Sequence, residues 1–153
     1  MKIIYICCLF AFMLTSATAA KDGWELIWYD EFDGNSINTT KWQHEVDCWG
    51  NFYPRNTSVW SISVGGGNNE LQCYTSRPQN CKVANGVLTL TAIQERYQGS
   101  NTGCTSTQGC TWTKDYTSAR LRTINDPTGS WTYGRFEVRA ILPNGKHLWP
   151  AFW

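Results

Sequence analysis

Net charge is what this sequence has least of. Apart from Lys2, twelve basic residues balance twelve acidic ones, which argues against phosphate-backbone binding as the main activity. No helical period of useful length appears, and no internal repeat or low-complexity linker divides the chain. Phosphate-loop glycine spacing is missing as well: no G-x-G-x-x-G occurs, and no lysine follows the glycine run. A zinc site lacks its signature, because no paired C-x-x-C stands near a histidine. His44 and His147 are isolated, and no serine or cysteine nucleophile motif is present. Nor is there a convincing carboxylate pair set for general acid and base work. Glu45-Val46-Asp47 has the right alternation but no third carboxylate after it, and Asp30-Glu31-Phe32-Asp33 suits turn hydrogen bonds or a calcium ligand. These 153 residues therefore offer no convincing catalytic set.

What the chain does have begins with a leader. Lys2 supplies a positive start, Ile3 to Leu14 is an unbroken apolar stretch, and Ala17-Thr18-Ala19 offers small residues for cleavage. Residues 1–20 are expected to be a secretory signal peptide, too short in their apolar core to span a bilayer. No later stretch has transmembrane length, so a secreted, extracellular product with no membrane partner is expected. In that oxidising setting the five cysteines beyond the leader become candidates for bridges. Short loops suggest pairing Cys73 with Cys81 and Cys104 with Cys110, leaving Cys48 without a partner inside the chain. Asn38-Thr39-Thr40 and Asn56-Thr57-Ser58 are N-glycosylation acceptors, placing Asn38 and Asn56 in surface loops.

The remaining pattern is of short β-like runs between turn residues. Glu25 to Tyr29 is one run. Asn85-Gly86 is the strongest turn signal, joining Cys81–Ala84 to a second arm, Val87–Ile93. Thr117–Thr123 sets Ser118, Arg120 and Arg122 on one face, and Arg135–Leu142 sets Phe136, Val138, Ala140 and Leu142 on one face. This spacing predicts an all-β chain of antiparallel sheets in a single sandwich or barrel. The strands number about half of a large sandwich, so residues 21–153 are expected to be the front part of a longer domain.

Nine tryptophans among few charges suit a neutral polar ligand with flat apolar faces, such as a sugar ring, as well as they suit an aromatic core. In an extended run Trp149, Ala151 and Trp153 point one way, with the two indoles about 13 Å apart. Leu148 and Phe152 are then expected to face the core, and Pro150, without an N–H, suits an edge. Val64-Gly65-Gly66-Gly67-Asn68-Asn69-Glu70-Leu71-Gln72 pairs a backbone that a ligand approaches closely with donors and acceptors for hydroxyls. Arg120 and Arg122 share a face, suited to donate to sugar hydroxyls or to pair with carboxylates.

Six segments, in order, resemble glycoside hydrolase family 16. They are Trp28-Tyr-Asp-Glu-Phe-Asp33, Gly65-Gly-Gly-Asn-Asn-Glu-Leu-Gln-Cys-Tyr74, Asn85-Gly-Val-Leu-Thr-Leu90, Ser118-Ala-Arg-Leu-Arg-Thr123, Tyr133-Gly-Arg-Phe-Glu-Val-Arg-Ala140 and Leu148-Trp-Pro-Ala-Phe-Trp153. The likeness is to its laminarinases and its β-1,3-glucan recognition proteins. It implies a concanavalin-like jelly roll of two curved sheets, with a β-glucan across the concave face, and retaining hydrolysis of β-1,3-glucans. The family's Glu-x-Asp-x-x-Glu signature is absent here, so no catalytic residue carries over and the 153-residue chain alone is expected to be inactive. The resemblance implies that Asn69, Arg122, Trp149 and Trp153 contact glucan and that Glu31 lies near a structural calcium. No cofactor is expected to be required, and the full-length protein is expected to be a monomer. A non-catalytic glucan-recognition protein of innate immunity is the alternative.

Overall fold

The computed structural model describes residues 22–48, 70–100, 111–124 and 129–152, together with the backbone of residues 2–7. Every regular element among the described residues is a strand. In chain order they are β1 (Lys2–Cys7), β2 (Glu25–Asp30), β3 (Trp42–His44), β4 (Gln72–Tyr74), β5 (Cys81–Ala84), β6 (Val87–Leu90), β7 (Ile93–Ser100), β8 (Thr111–Ser118), β9 (Leu121–Thr123) and β10 (Arg135–Arg139). The all-β expectation holds. Pairing is mixed rather than wholly antiparallel: β3–β9 and β7–β8 are antiparallel, whereas β4–β8, β1–β2 and β1–β10 are parallel. Parallel neighbours need a crossover of a dozen residues or more, and more than 30 residues lie between β4 and β8.

The chain divides into two units, one from residues 1–37, 83–88 and 126–153, the other from residues 38–82 and 89–125. In the first, β1 lies between β2 and β10. The expected leader, residues 1–20, falls mostly outside the described residues. Its described part is this strand, which pairs with β2 and β10 rather than standing apart from the fold. Behind β2, Trp28 is buried against Trp131, whose ring also meets Phe136 edge-on, with centroid distances of 5.6 and 6.2 Å. At the end of β2, Asp30 Oδ1 accepts from the Phe32 N–H at 2.9 Å. That bond holds Phe32 at φ 55° with its ring buried.

Asn85 and Gly86, at φ 54° and 73°, both take the left-handed conformation that a tight hairpin turn of this kind demands, as the Asn-Gly signal predicts. The second arm is shorter than expected: β6 stops at Leu90, and β7 begins at Ile93. The expected run Thr117–Thr123 is likewise divided at Ala119-Arg120, its first part in β8 beside β7 and its last in β9 beside β3.

In the second unit a fully buried amide ties several segments together. Asn80 Nδ2 donates to Thr117 Oγ1 at 2.9 Å and to the Thr91 carbonyl at 3.1 Å. Its Oδ1 accepts from Thr75 Oγ1 at 2.5 Å and from Arg77 Nη2 at 2.9 Å. Arg77 also pairs with Glu95, donates to Thr117 Oγ1 at 3.1 Å, and stacks its guanidinium 4.6 Å from the Tyr97 ring centre. Polar groups at this depth are costly unless paired, and here the side chains of the strands and turns pair one another.

The cysteine pairing differs from expectation. Asp47 and Tyr74 exchange backbone hydrogen bonds across an antiparallel bridge, at 3.1 and 2.6 Å. Cys48 and Cys73 thereby become a directly opposed, non-hydrogen-bonded pair, where Cα atoms come closest. Their Cα atoms are 4.2 Å apart and the two are joined as a disulfide. Cys73 is thus bonded to Cys48, not to Cys81, and Cys48 finds its partner within the chain. Cys81 is a buried free thiol whose pKa burial pushes up to about 11. Gly99 of β7 lies against the bridge, since a Cβ there would stand 3.1 Å from Cys48 Sγ and 2.9 Å from the Tyr97 ring. Cys104 and Cys110 lie outside the described residues.

This unit generates two testable expectations. Closing a loop of 25 residues by a disulfide stabilises a protein by about 3 kcal/mol. The double substitution Cys48→Ala/Cys73→Ala is expected to lose about that much in urea unfolding, and Cys81→Ala distinctly less; the reverse order would restore the Cys73–Cys81 pairing. The second concerns acid. Hydrogen bonds from Arg77 and then Thr117 hold the Glu95 carboxyl below its ordinary range. Its contribution is therefore complete above the unfolded carboxyl pKa, about 4.3, and is lost as pH falls through the lower folded value. Glu95→Gln is expected to flatten the fall in thermal midpoint below pH 4; an unchanged acid limb would show that Glu95 does not contribute.

Candidate functional site

The second unit also carries a polar row across the β3–β9 pair. β3 and β9 pair with Trp42 opposite Thr123, Gln43 opposite Arg122 and His44 opposite Leu121. The Glu45 N–H donates to the Arg120 carbonyl at 3.0 Å, continuing the ladder by one residue. With a side-chain period of two, Gln43, Glu45, Arg120 and Arg122 share one face, while Trp42 is buried.

The contacts on that face are specific. Arg122 Nη2 donates to Gln43 Oε1 at 2.9 Å. Arg120 Nε pairs with Glu45 Oε2, and Arg122 Nε lies 3.7 Å from Glu45 Oε1. The Glu45 carboxylate, 10% exposed, therefore serves two arginines, of which Arg122 is 43% exposed. The Arg120 guanidinium lies 5.8 Å from the centre of the Tyr74 ring. The Tyr74 hydroxyl donates to Glu70 Oε1 at 3.1 Å and accepts from Gln72 Nε2 at 2.9 Å. Burial, and next the negative charge of Glu70, raise the Tyr74 pKa, keeping the hydroxyl protonated as a donor. Lys114 Nζ donates to the Glu70 carbonyl, and burial lowers its pKa against the opposing pull of Glu70 and Asp47. His44, on the other face of β3, has its pKa lowered by burial.

This row joins pieces that the sequence shows far apart: the Glu45-Val-Asp47 segment, the Glu70-Leu-Gln72 stretch and the Arg120-Leu-Arg122 segment. Chemically it is a set of fixed donors and acceptors suited to hydroxyls, with no pair of free carboxylates set for bond cleavage. Of the residues expected to bind, Arg122 is in it. Gln43, Glu45 and Tyr74 are not among those expected, although the period-two spacing of Gln43 and Glu45 is readable in the sequence. Asn69 and Trp153 lie outside the described residues, as does Asn56.

Trp149 belongs to the first unit and is 85% exposed. The alternation expected around it is not realised. Residues 148–152 form no strand, and Leu148 and Phe152, expected to face the core, are 42% and 50% exposed. Pro150 cannot donate to a ladder, and no neighbouring strand pairs with this run among the described residues. Glu31 Oε1 is buried with no hydrogen-bond partner. That is one candidate oxygen, whereas calcium takes six to eight, and no group of three or more His, Cys, Asp or Glu gathers among the described residues. Asn38 is exposed, its Oδ1 accepting from the Thr40 N–H at 3.0 Å and the Thr40 hydroxyl at 2.7 Å. Its amide nitrogen takes no part in that turn.

No family model matches the chain. Among characterised proteins, the glucan endo-1,3-beta-glucosidase of Cryptopygus antarcticus is 37% identical over 145 residues, covering 94% of this chain and 43% of its own length. The beta-glucanase of Rhodothermus marinus is 41% identical over 132 residues, covering 85% of this chain and 35% of its own length. The beta-1,3-glucan-binding protein of Penaeus monodon is 57% identical over 37 residues, covering 24% of this chain and 10% of its own length. The chain thus spans less than half the length of each.

Proposed function

Since the chain belongs to the laminarinase-type glycoside hydrolases of family 16, we propose that its full-length form is a secreted endo-β-1,3-glucanase that acts with retention. The observation that carries this reading is the similarity to a glucan endo-1,3-beta-glucosidase across 94% of the chain. Retention requires two carboxylates about 5 Å apart, one as nucleophile and one as acid and base in turn. In this reading both come from outside these 153 residues. Glu45, the best-placed carboxylate of the row, is held by two arginines and is unsuited to nucleophilic attack. The 153 residues contribute binding: Arg122 to hydroxyls and the exposed Trp149 indole to a sugar face.

A second reading is supported by the similarity to a beta-1,3-glucan-binding protein. In it the full-length protein recognises the polysaccharide without cutting it. Incubating the full-length protein with laminarin and following the anomeric protons by NMR separates the two. The β-anomer of the new reducing ends is expected to appear first, and the isolated residues 21–153 are expected to release none. Laminarin binding without reducing-end release would favour recognition, and initial α-anomer would overturn retention. Trp149→Ala is expected to weaken laminarin binding about tenfold, in line with the loss of one aromatic stacking contact; unchanged affinity would remove Trp149 from the binding surface.

A further inference from the structure

Glu45 fits neither catalysis nor ordinary surface decoration. A carboxylate this enclosed is costly to desolvate unless its oxygens are engaged, and here each oxygen faces a different arginine. Arg122 on β9 alternates with Arg120 just before it, and Gln43 on β3 alternates with Glu45 just after it on the opposing segment, so the register itself brings the four together. For Arg122 the consequence is directional. Its Nη2 donates to Gln43 at 2.9 Å and its Nε lies 3.7 Å from the Glu45 carboxylate, so a hydrogen bond and an ion pair hold one edge of the guanidinium. A guanidinium has five N–H donors, and these two contacts leave others for a ligand. An unanchored arginine would have to give up side-chain freedom on binding.

We infer that Glu45 and Gln43 are positioning residues that fix the Arg122 guanidinium in advance for the hydroxyls of a β-glucan chain. The inference rests on the reading that Arg122 meets glucan. Neither residue needs to touch the polysaccharide. Glu45 acts through both arginines, and Gln43 acts through Arg122 alone. Arg120 is the inner member, held between Glu45 and the Tyr74 ring, and it keeps Glu45 in place by charge.

The test uses the full-length protein and affinity electrophoresis through laminarin, with thermal midpoints measured in parallel. Arg122→Ala is expected to weaken binding about tenfold, Glu45→Gln by a similar factor and Gln43→Ala about threefold. Adding Gln43→Ala to Arg122→Ala is expected to change nothing further, because the glutamine acts only through the arginine. A merely structural role would show instead as additive losses that follow the thermal midpoint. Wild-type affinity in Arg122→Ala would overturn the contact reading and this inference with it. Weakened binding in Arg122→Ala, with Gln43→Ala unchanged or additive, would overturn the positioning alone. Where Glu45→Gln loses its fold, the exposed Gln43 decides between these outcomes.

Discussion

Buried polar groups are costly without partners, and in the unit of residues 38–82 and 89–125 one side chain, Asn80, gathers partners from several segments. Its amide is fully enclosed and reaches Thr75, Arg77, Thr91 and Thr117, which follow β4, precede β5, follow β6 and lie in β8 respectively. Glu95 of β7 joins through Arg77 and Thr117. Among the described residues the fully buried side chains are small or polar, with Cys48 and Cys73 joined as the cross-strand bridge. Polar complementarity and the bridge tie these segments together, and the β3–β9 ladder beside them places Gln43 opposite Arg122 and Glu45 opposite Arg120.

Enclosed charge is used the same way at the candidate site. Glu45 satisfies two cations at once, and Tyr74 links the second of them to Glu70 and Gln72. The result is a rigid set of hydroxyl-compatible groups with little net charge, matching the near-neutral composition of the chain. A polysaccharide without charge offers no long-range attraction, so pre-arranged hydrogen bonding and aromatic faces must supply its affinity.

Much of the β architecture is legible in the sequence. Glu25–Tyr29, the Asn85-Gly86 hairpin and the start of the Arg135 strand are all found, because apolar alternation and left-handed turn residues are local signals. The long pair β7 and β8 is harder to read. Its residues are largely polar, Gln94-Glu95-Arg96 on one strand and Thr113-Lys114-Asp115 on the other, and non-local pairing rather than local hydrophobicity makes them strands. The Cys48–Cys73 bond is hidden for the same reason: loop length favours Cys81, while the Asp47–Tyr74 bridge that sets the partners face to face is a tertiary fact. At the site, Arg122 is readable from strand alternation. Gln43 and Glu45 gain meaning only from the register that sets them across from it.

Whether the Arg122 face receives the glucan is decided most directly by titrating the isotope-labelled full-length protein with laminaritriose, following side-chain N–H resonances by NMR. The Arg122 Nε–H signal is expected to shift with saturation, while the Arg96 Nε–H signal stays in place. A saturating titration that leaves Arg122 unmoved and shifts resonances elsewhere would place the glucan on another face.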